Sequence, residues 1–254
     1  MFVSHGFAAS VVTVSEKPNA FTSSLSGVSL YDFNALSTGV NKNVEWQGVG
    51  TFDQLNILRA DQYGGAPSAT QAKGTNYSVQ GVGSSVKTTT LSLNKPSSYF
   101  GFYWSAGDGA NQLQFYNGNN LVGQFTTQSL LTNLPNEFYG NPLNRAQNKG
   151  EPYAFVNFYG DINTSWDTVV LSNVTSSGFE SDNYTSRIEA WNSARDGVIT
   201  GIPISVVEGA SSSKISKIPD SFTYASRVPA APAPPLIPLL IFAGLLLLRS
   251  SKLV

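Results

Sequence analysis

Gln112-Leu113-Gln114-Phe115-Tyr116-Asn117-Gly118-Asn119-Asn120-Leu121-Val122-Gly123-Gln124-Phe125-Thr126 is the stretch from which the fold is read. Short apolar and alternating runs lie on either side of its centre, the pattern of strands with a buried face. The centre, Asn117-Gly118-Asn119-Asn120, supplies residues that accept the positive φ of a tight hairpin. Two antiparallel strands are therefore expected, Gln112 to Tyr116 and Leu121 to Thr126. Similar runs, separated by clusters of Gly, Asn, Pro and Ser, recur along the chain. They are Val28 to Asn34, Val44 to Phe52, Val86 to Leu93, Tyr99 to Trp104, Tyr153 to Tyr159, Trp166 to Ser172, Gly178 to Asn183 and Arg187 to Trp191. Because no long helical pattern separates them, the strands should pair antiparallel, giving an all-β fold, an antiparallel β-sandwich. Tyr99 to Trp104 is apolar throughout, as expected of a central strand covered on both faces. Ser129 to Asn133 reads as one helical turn and Asn141 to Gly150 as a long exposed loop.

Composition narrows the function. Only 12% of the 254 residues are charged, against roughly 25% in an average soluble domain, the balance of an extracellular β protein. The formal net charge is -1 and the basic residues are scattered, so the chain has no stripe for a phosphate backbone and nucleic acid is not an expected partner. With no cysteine and one histidine, His5, thiol nucleophiles, Cys-ligated zinc and Ser-His-Asp chemistry are excluded.

The two ends differ from the body. Met1 to Ser10 lacks the charged and apolar regions of a complete signal peptide, yet Gly6-Phe7-Ala8 has the small-x-small form of a cleavage site. Residues 1–10 read as the remnant of a signal peptide or a disordered N-terminus, and 11–227 as the β-sandwich domain. Residues 228–235, Val228-Pro229-Ala230-Ala231-Pro232-Ala233-Pro234-Pro235, form an extended linker, since proline cannot continue a helix. The final segment, 236–254, begins with an apolar run carrying Leu236, Ile237, Leu239, Leu240, Ile241, Phe242, Leu245, Leu246, Leu247 and Leu248. As a helix this run would be about 20 Å long, a marginal span of a ~30 Å hydrocarbon layer. Arg249 and Lys252 follow it as a short basic end, in keeping with a cytoplasmic C-terminus.

The order Val228-Pro229 with Pro232, apolar helix, then Arg249 and Lys252 resembles the PEP-CTERM sorting signal of Gram-negative bacteria. The resemblance implies an exosortase-type processing enzyme as partner, with transient anchoring in the membrane and delivery to the cell surface or medium. The sequence departs from the family in having Ala230 and Ala231 where a glutamate is usual, and two basic residues in place of a dense cluster. A single-pass anchor or a GPI-type signal has the same order of parts. In the body, Asp32-Phe33, Phe100-Gly101-Phe102-Tyr103-Trp104, Phe115-Tyr116-Asn117-Gly118 and Phe179-Glu180-Ser181-Asp182-Asn183 resemble, in that order, a group of exosortase-dependent surface proteins. That resemblance implies a jelly-roll-like sandwich and supplies no activity.

Three constellations remain. Glu180 and Asp182 alternate on a strand, so both carboxylates face one way and repel. Calcium would neutralise them, with Asp32 closing the site if the first and last strands pair, whereas Arg187 or solvent would serve equally. The same acids could be offered as a glycosidase pair, a reading that needs a cleft. Sugar binding calls for exposed aromatic faces beside polar groups, drawn from Trp46, Tyr63, Trp104, Tyr139, Trp166 and Trp191. The loop from Trp104 through Asp108 to Asn111 is the sequence's candidate. The expectation is thus a non-catalytic exported surface or extracellular-matrix protein without an obligatory cofactor. The alternatives are a carbohydrate-binding module for exopolysaccharide and, third, a glycan-directed hydrolase.

Overall fold

A computed structural model describes residues 10–68, 74–81, 84–173, 175, 177–208 and 211–214. The sorting motif Val228, Pro229 and Pro232, the apolar run and the basic end lie outside the described residues. No helix among the described residues is long and apolar enough to cross a membrane.

The described residues form β1 (Ser10–Ser15), β2 (Ser29–Tyr31), β3 (Gly39–Trp46), β4 (Gly50–Leu58), β5 (Tyr77–Gly81), β6 (Thr88–Ser97) and β7 (Tyr99–Ser105). There follow β8 (Asn111–Asn117), β9 (Asn120–Thr126), the single-turn helix α1 (Gln128–Leu131), β10 (Ala154–Gly160), β11 (Trp166–Asn173) and β12 (Gly178–Arg187). Helix α2 (Ser193–Asp196), β13 (Ile202–Glu208) and β14 (Ser211–Lys214) complete the order. All strand pairs are antiparallel, as expected. They join into one continuous sheet, β14-β13-β1-β10-β7-β12-β5-β4-β6-β11-β8-β9, with β2 added on β12 and β3 on β4. The sheet curls until β9 lies beside β13 and β14.

The curl encloses the main core. Phe100, Phe102 and Trp104 of β7 point inward with Phe115, Phe158, Trp166, Phe179 and Tyr184. Their alternate neighbours Tyr99 and Tyr103 join two smaller apolar clusters on the outer face, one with Val12, Val14 and Trp191, the other with Ala66, Tyr153 and Phe155. All seven residues of β7 are buried because loops cover its outer side, which accounts for a strand without polar alternation.

Two expected boundaries change. Val44 to Phe52 is a hairpin rather than one strand: Val49 N–H bonds Trp46 O at 2.9 Å, and Gly48 between them has φ 76°. Val44 pairs with Phe52 across this turn, so the inward phase continues through it and the alternation conceals it. Conversely, Gly178 to Asn183 and the start of the next run form the single strand β12, interrupted in register between Asp182 and Thr185, where Asn183 has φ 50°. Trp191 lies beyond that strand.

Candidate functional site

β12 runs between β5 and β7, so that Glu180 lies opposite Val79 on one side and Ser105 on the other. Three connections meet above this point. The connection from β4 to β5 carries Asp61 and Tyr63, the turn after β7 carries Ala106 and Asp108, and a bridge between Tyr139 and Pro152 brings in Glu151. Together they enclose a cleft of about 310 Å³ whose walls include Asp61, Asp108, Glu151, Glu180, Tyr63 and Tyr77.

The walls are held by hydrogen bonds specific to these residues. Asp61 Oδ1 accepts from the N–H groups of Tyr63 (2.8 Å) and Gly64 (3.1 Å) and from the Tyr77 hydroxyl (3.2 Å). The carbonyl of Gln62 receives Asn141 Nδ2 (3.0 Å), Asn148 Nδ2 (2.7 Å) and the Tyr153 hydroxyl (2.7 Å), which fixes the rim to the long loop before β10. Asp108 Oδ1 accepts from Ala110 N–H at 2.8 Å. Glu151 Oε2 is buried without a hydrogen-bond partner.

Burial in this half-enclosed, acidic space raises the proton affinity of Glu180 and Glu151. Burial, reinforced by the charges of Asp108, Glu151 and Asp61, pushes the Glu180 carboxyl up to about 8. Burial, then Asp108, raises Glu151. Burial, with Asp61 and Glu180 nearby, also drives the Tyr77 hydroxyl upward, so it stays protonated as a donor. The cleft therefore offers carboxyl acceptors, at least one carboxyl that donates near neutral pH, and the half-exposed ring of Tyr63 (45% exposed). These are the groups that sugar hydroxyls and a sugar's apolar face require.

The sequence-derived sites are distributed differently. Trp104 and Asn111 are fully buried. With the Asn111 amide turned to satisfy both of its ends, its oxygen accepts from Trp104 Nε1 at 3.1 Å. The Trp104 face is consequently core and cannot meet a sugar, and of the proposed binding loop only Ala106 and Asp108 reach the cleft. Among the aromatic pool, Trp46, Trp104, Trp166 and Trp191 are buried and Tyr139 is half-buried, leaving Tyr63 as the exposed member.

β2 does pair with β12, Tyr31 opposite Tyr184, which brings Asp32 into the electrostatic range of Asp182. The three carboxylates nevertheless have separate occupations. Asp32 is exposed and accepts from Asn34 N–H at 3.2 Å, Glu180 lines the cleft, and Asp182 is buried beneath residues 66 and 75. Among the described residues no three acidic, histidine or cysteine side chains converge closely enough to hold a metal ion. Arg187 neutralises neither Glu180 nor Asp182; its guanidinium takes Asp196 in two bonds of 2.9 and 2.8 Å. Asp61, Glu151 and Tyr77 were not singled out by the sequence. Asp61-x-Tyr63-Gly64-Gly65 is the one local signal, an acid closing a turn beside an aromatic.

No protein-family model and no curated protein matches the chain. One solved structure that does is the catalytic domain of a GH87 alpha-1,3-glucanase in complex with tetrasaccharides, at 15% identity and a TM-score of 0.36 over 77% of this chain and 32% of that one. The chain thus spans about a third of that structure's length, and a likeness this slight does not bear on function.

Proposed function

We propose that this chain is an exported cell-surface or extracellular-matrix protein that binds a glycan, such as the exopolysaccharide of its own host, in the cleft above Glu180. The observation that carries the reading is the cleft itself, in which an exposed tyrosine ring stands beside carboxyl groups that both accept and donate hydrogen bonds. The low charge of the whole chain and the Pro-spaced apolar tail with its basic end support export, with an exosortase-type enzyme as processing partner and the membrane as a transient anchor. The opposed halves of the curled sheet are read as the two layers of a jelly-roll-like sandwich, with the tail as a helix following it.

Two measurements test this reading. Affinity electrophoresis against host exopolysaccharide should retard the full chain, and Glu180→Gln should alter the pH dependence of retardation; unchanged mobility at every pH would remove the binding reading. Intact mass with cell fractionation should find a mature protein outside the cytoplasm, and deletion of residues 228–254 should stop its delivery. A full-length chain retained in the cytoplasm would overturn export.

A second reading, glycan hydrolysis, is favoured by one observation: Glu180 keeps its proton near neutral pH, the state a general acid needs, with other carboxylates in the same cleft. Release of reducing ends from the bound glycan, lost in Glu180→Gln, would establish it. Binding without product would leave the non-catalytic reading in place.

A further inference from the structure

Asn117-Gly118 is the only asparagine–glycine step in the 254 residues. It sits at the tip of the β8–β9 hairpin, where Asn117, Gly118, Asn119 and Asn120 are all exposed. Such a step can modify itself. The Gly118 nitrogen attacks Asn117 Cγ and a C–N bond forms, while the side-chain amide takes up the Gly118 proton and leaves as ammonia. Water then opens the imide ring at either carbonyl. One opening leaves aspartate; the other leaves isoaspartate, in which the main chain runs through Cβ and Cγ and is one carbon longer. Glycine obstructs this closure least, because it has no side chain. A Cβ added at Gly118 would meet nothing within 4 Å, so packing does not shield the step either.

β11 supplies the shield. Trp166 points into the core, so Ser165 and Asp167 on either side of it face outward, and the Thr168–Tyr116 pair sets Asp167 beside the hairpin tip. Asp167 Oδ2 accepts from Gly118 N–H at 2.8 Å, and the Thr168 hydroxyl steadies the other carboxylate oxygen at 2.9 Å. Asn117 Nδ2 donates to Ser165 O at 3.1 Å; a peptide carbonyl only accepts, which fixes the amide with its nitrogen on that side. Both reacting groups are therefore engaged by the neighbouring strand. Ring closure must break both bonds and swing Asn117 Cγ back onto its own backbone. A carboxylate is too weak a base to remove a peptide proton, so Asp167 restrains the nitrogen rather than activating it.

We propose that Asn117 is a latent site of self-modification, which Asp167 and the Ser165 carbonyl keep unreacted in the folded chain. What they preserve is register. β8 and β9 carry Phe115 and Phe125 into the core, and an extra main-chain carbon at the end of β8 would displace the ladder that aims them. The inference goes beyond the function proposed above and does not depend on glycan binding.

Ageing the full chain at mildly alkaline pH tests the proposal, read by peptide mass mapping for water in place of ammonia at Asn117 and by enzymatic methylation of isoaspartate. The folded natural chain should convert far more slowly than the same chain in urea. Asp167→Ala should convert about ten- to a hundred-fold faster than the natural chain, the factor expected when one charge-assisted hydrogen bond is released. Asp167→Asn, which keeps an oxygen able to accept from Gly118 N–H, should recover part of the protection. Folded-state conversion as fast as in urea, or equal rates in Asp167→Ala and the natural chain, would overturn the proposal. Hydrogen exchange requires no variant: in the natural chain the Gly118 amide, though at an exposed tip, should exchange about tenfold or more below its intrinsic rate. Exchange at the intrinsic rate would overturn it as well.

Discussion

A methyl group at Gly178 would sit 1.9 Å from Glu180 Oε1, so the absence of a side chain two residues earlier on β12 is what lets the Glu180 carboxyl fold back over the strand. The obstructing atom is the end of a flexible side chain. Gly178→Ala should therefore leave the fold intact while displacing the carboxyl, so its NMR titration midpoint should fall from near 8 toward the ordinary glutamate range; an unchanged midpoint would refute this placement. The Arg187–Asp196 pair is different in kind. Both side chains are almost wholly buried, and removing one partner leaves an uncompensated charge. Asp196→Ala should cost about 3 to 5 kcal/mol in urea unfolding, against well under 1 kcal/mol for a surface ion pair. At this scale the sequence was informative about chemistry and silent about burial. It marked Trp104, Asp108 and Asn111 together, yet only Asp108 faces the cleft, because a strand end running into a polar loop reads the same whether its indole is covered or not.

Among the elements, the β8–β9 hairpin was the most legible. Its turn is Gly118-Asn119, Asn117 pairs with Asn120, and Gly118 has φ 54° with its N–H donated to Asp167 Oδ2 at 2.8 Å. A side chain added at Gly118 would meet nothing within 4 Å, so Gly118→Ala pays only for the left-handed backbone, about 1 kcal/mol in thermal or urea unfolding. A loss several times larger would mean that the turn is packed rather than merely bent. β5 was not among the expected strands, and its sequence alternates Ser78 and Gln80 with Tyr77 and Val79. Both polar residues are buried, with Gln80 Nε2 donating to the hydroxyls of Ser78 (2.8 Å) and Thr89 (2.9 Å). Alternation marks strands whose two faces differ in polarity; it does not reveal that the polar face is buried as well, as at Gln80, whose Oε1 has no hydrogen-bond partner.

In the molecule as a whole, Asp61, Asp108, Glu151 and Glu180 come from four separate connections and strands, and they meet only because β12 lies between β5 and β7. Composition and alternation fixed the antiparallel class, but neither carries which strands are neighbours, so the cleft was not legible. Its chemistry has a global consequence. Glu180 and Asp182, raised to about 8 and 7, contribute stability that is complete below their unfolded values and is lost as pH rises through the folded ones. Asp196, held well below the ordinary range by Arg195 and Arg187, contributes stability present above its unfolded value and lost as pH falls. Thermal unfolding should accordingly show its highest Tm near about pH 4 and decline toward about pH 8; a Tm that climbs over that interval would contradict these assignments.

The most direct test of the account is calorimetric titration of host exopolysaccharide into the full chain, into Tyr63→Ala and into Ile162→Ala. Ile162 is 82% exposed on the turn between β10 and β11, at the other end of β10 from Glu151, and serves as the control. The account predicts saturable binding that weakens about tenfold in Tyr63→Ala and is unchanged in Ile162→Ala. Equal affinity in all three, or no binding to the unaltered chain, would contradict it.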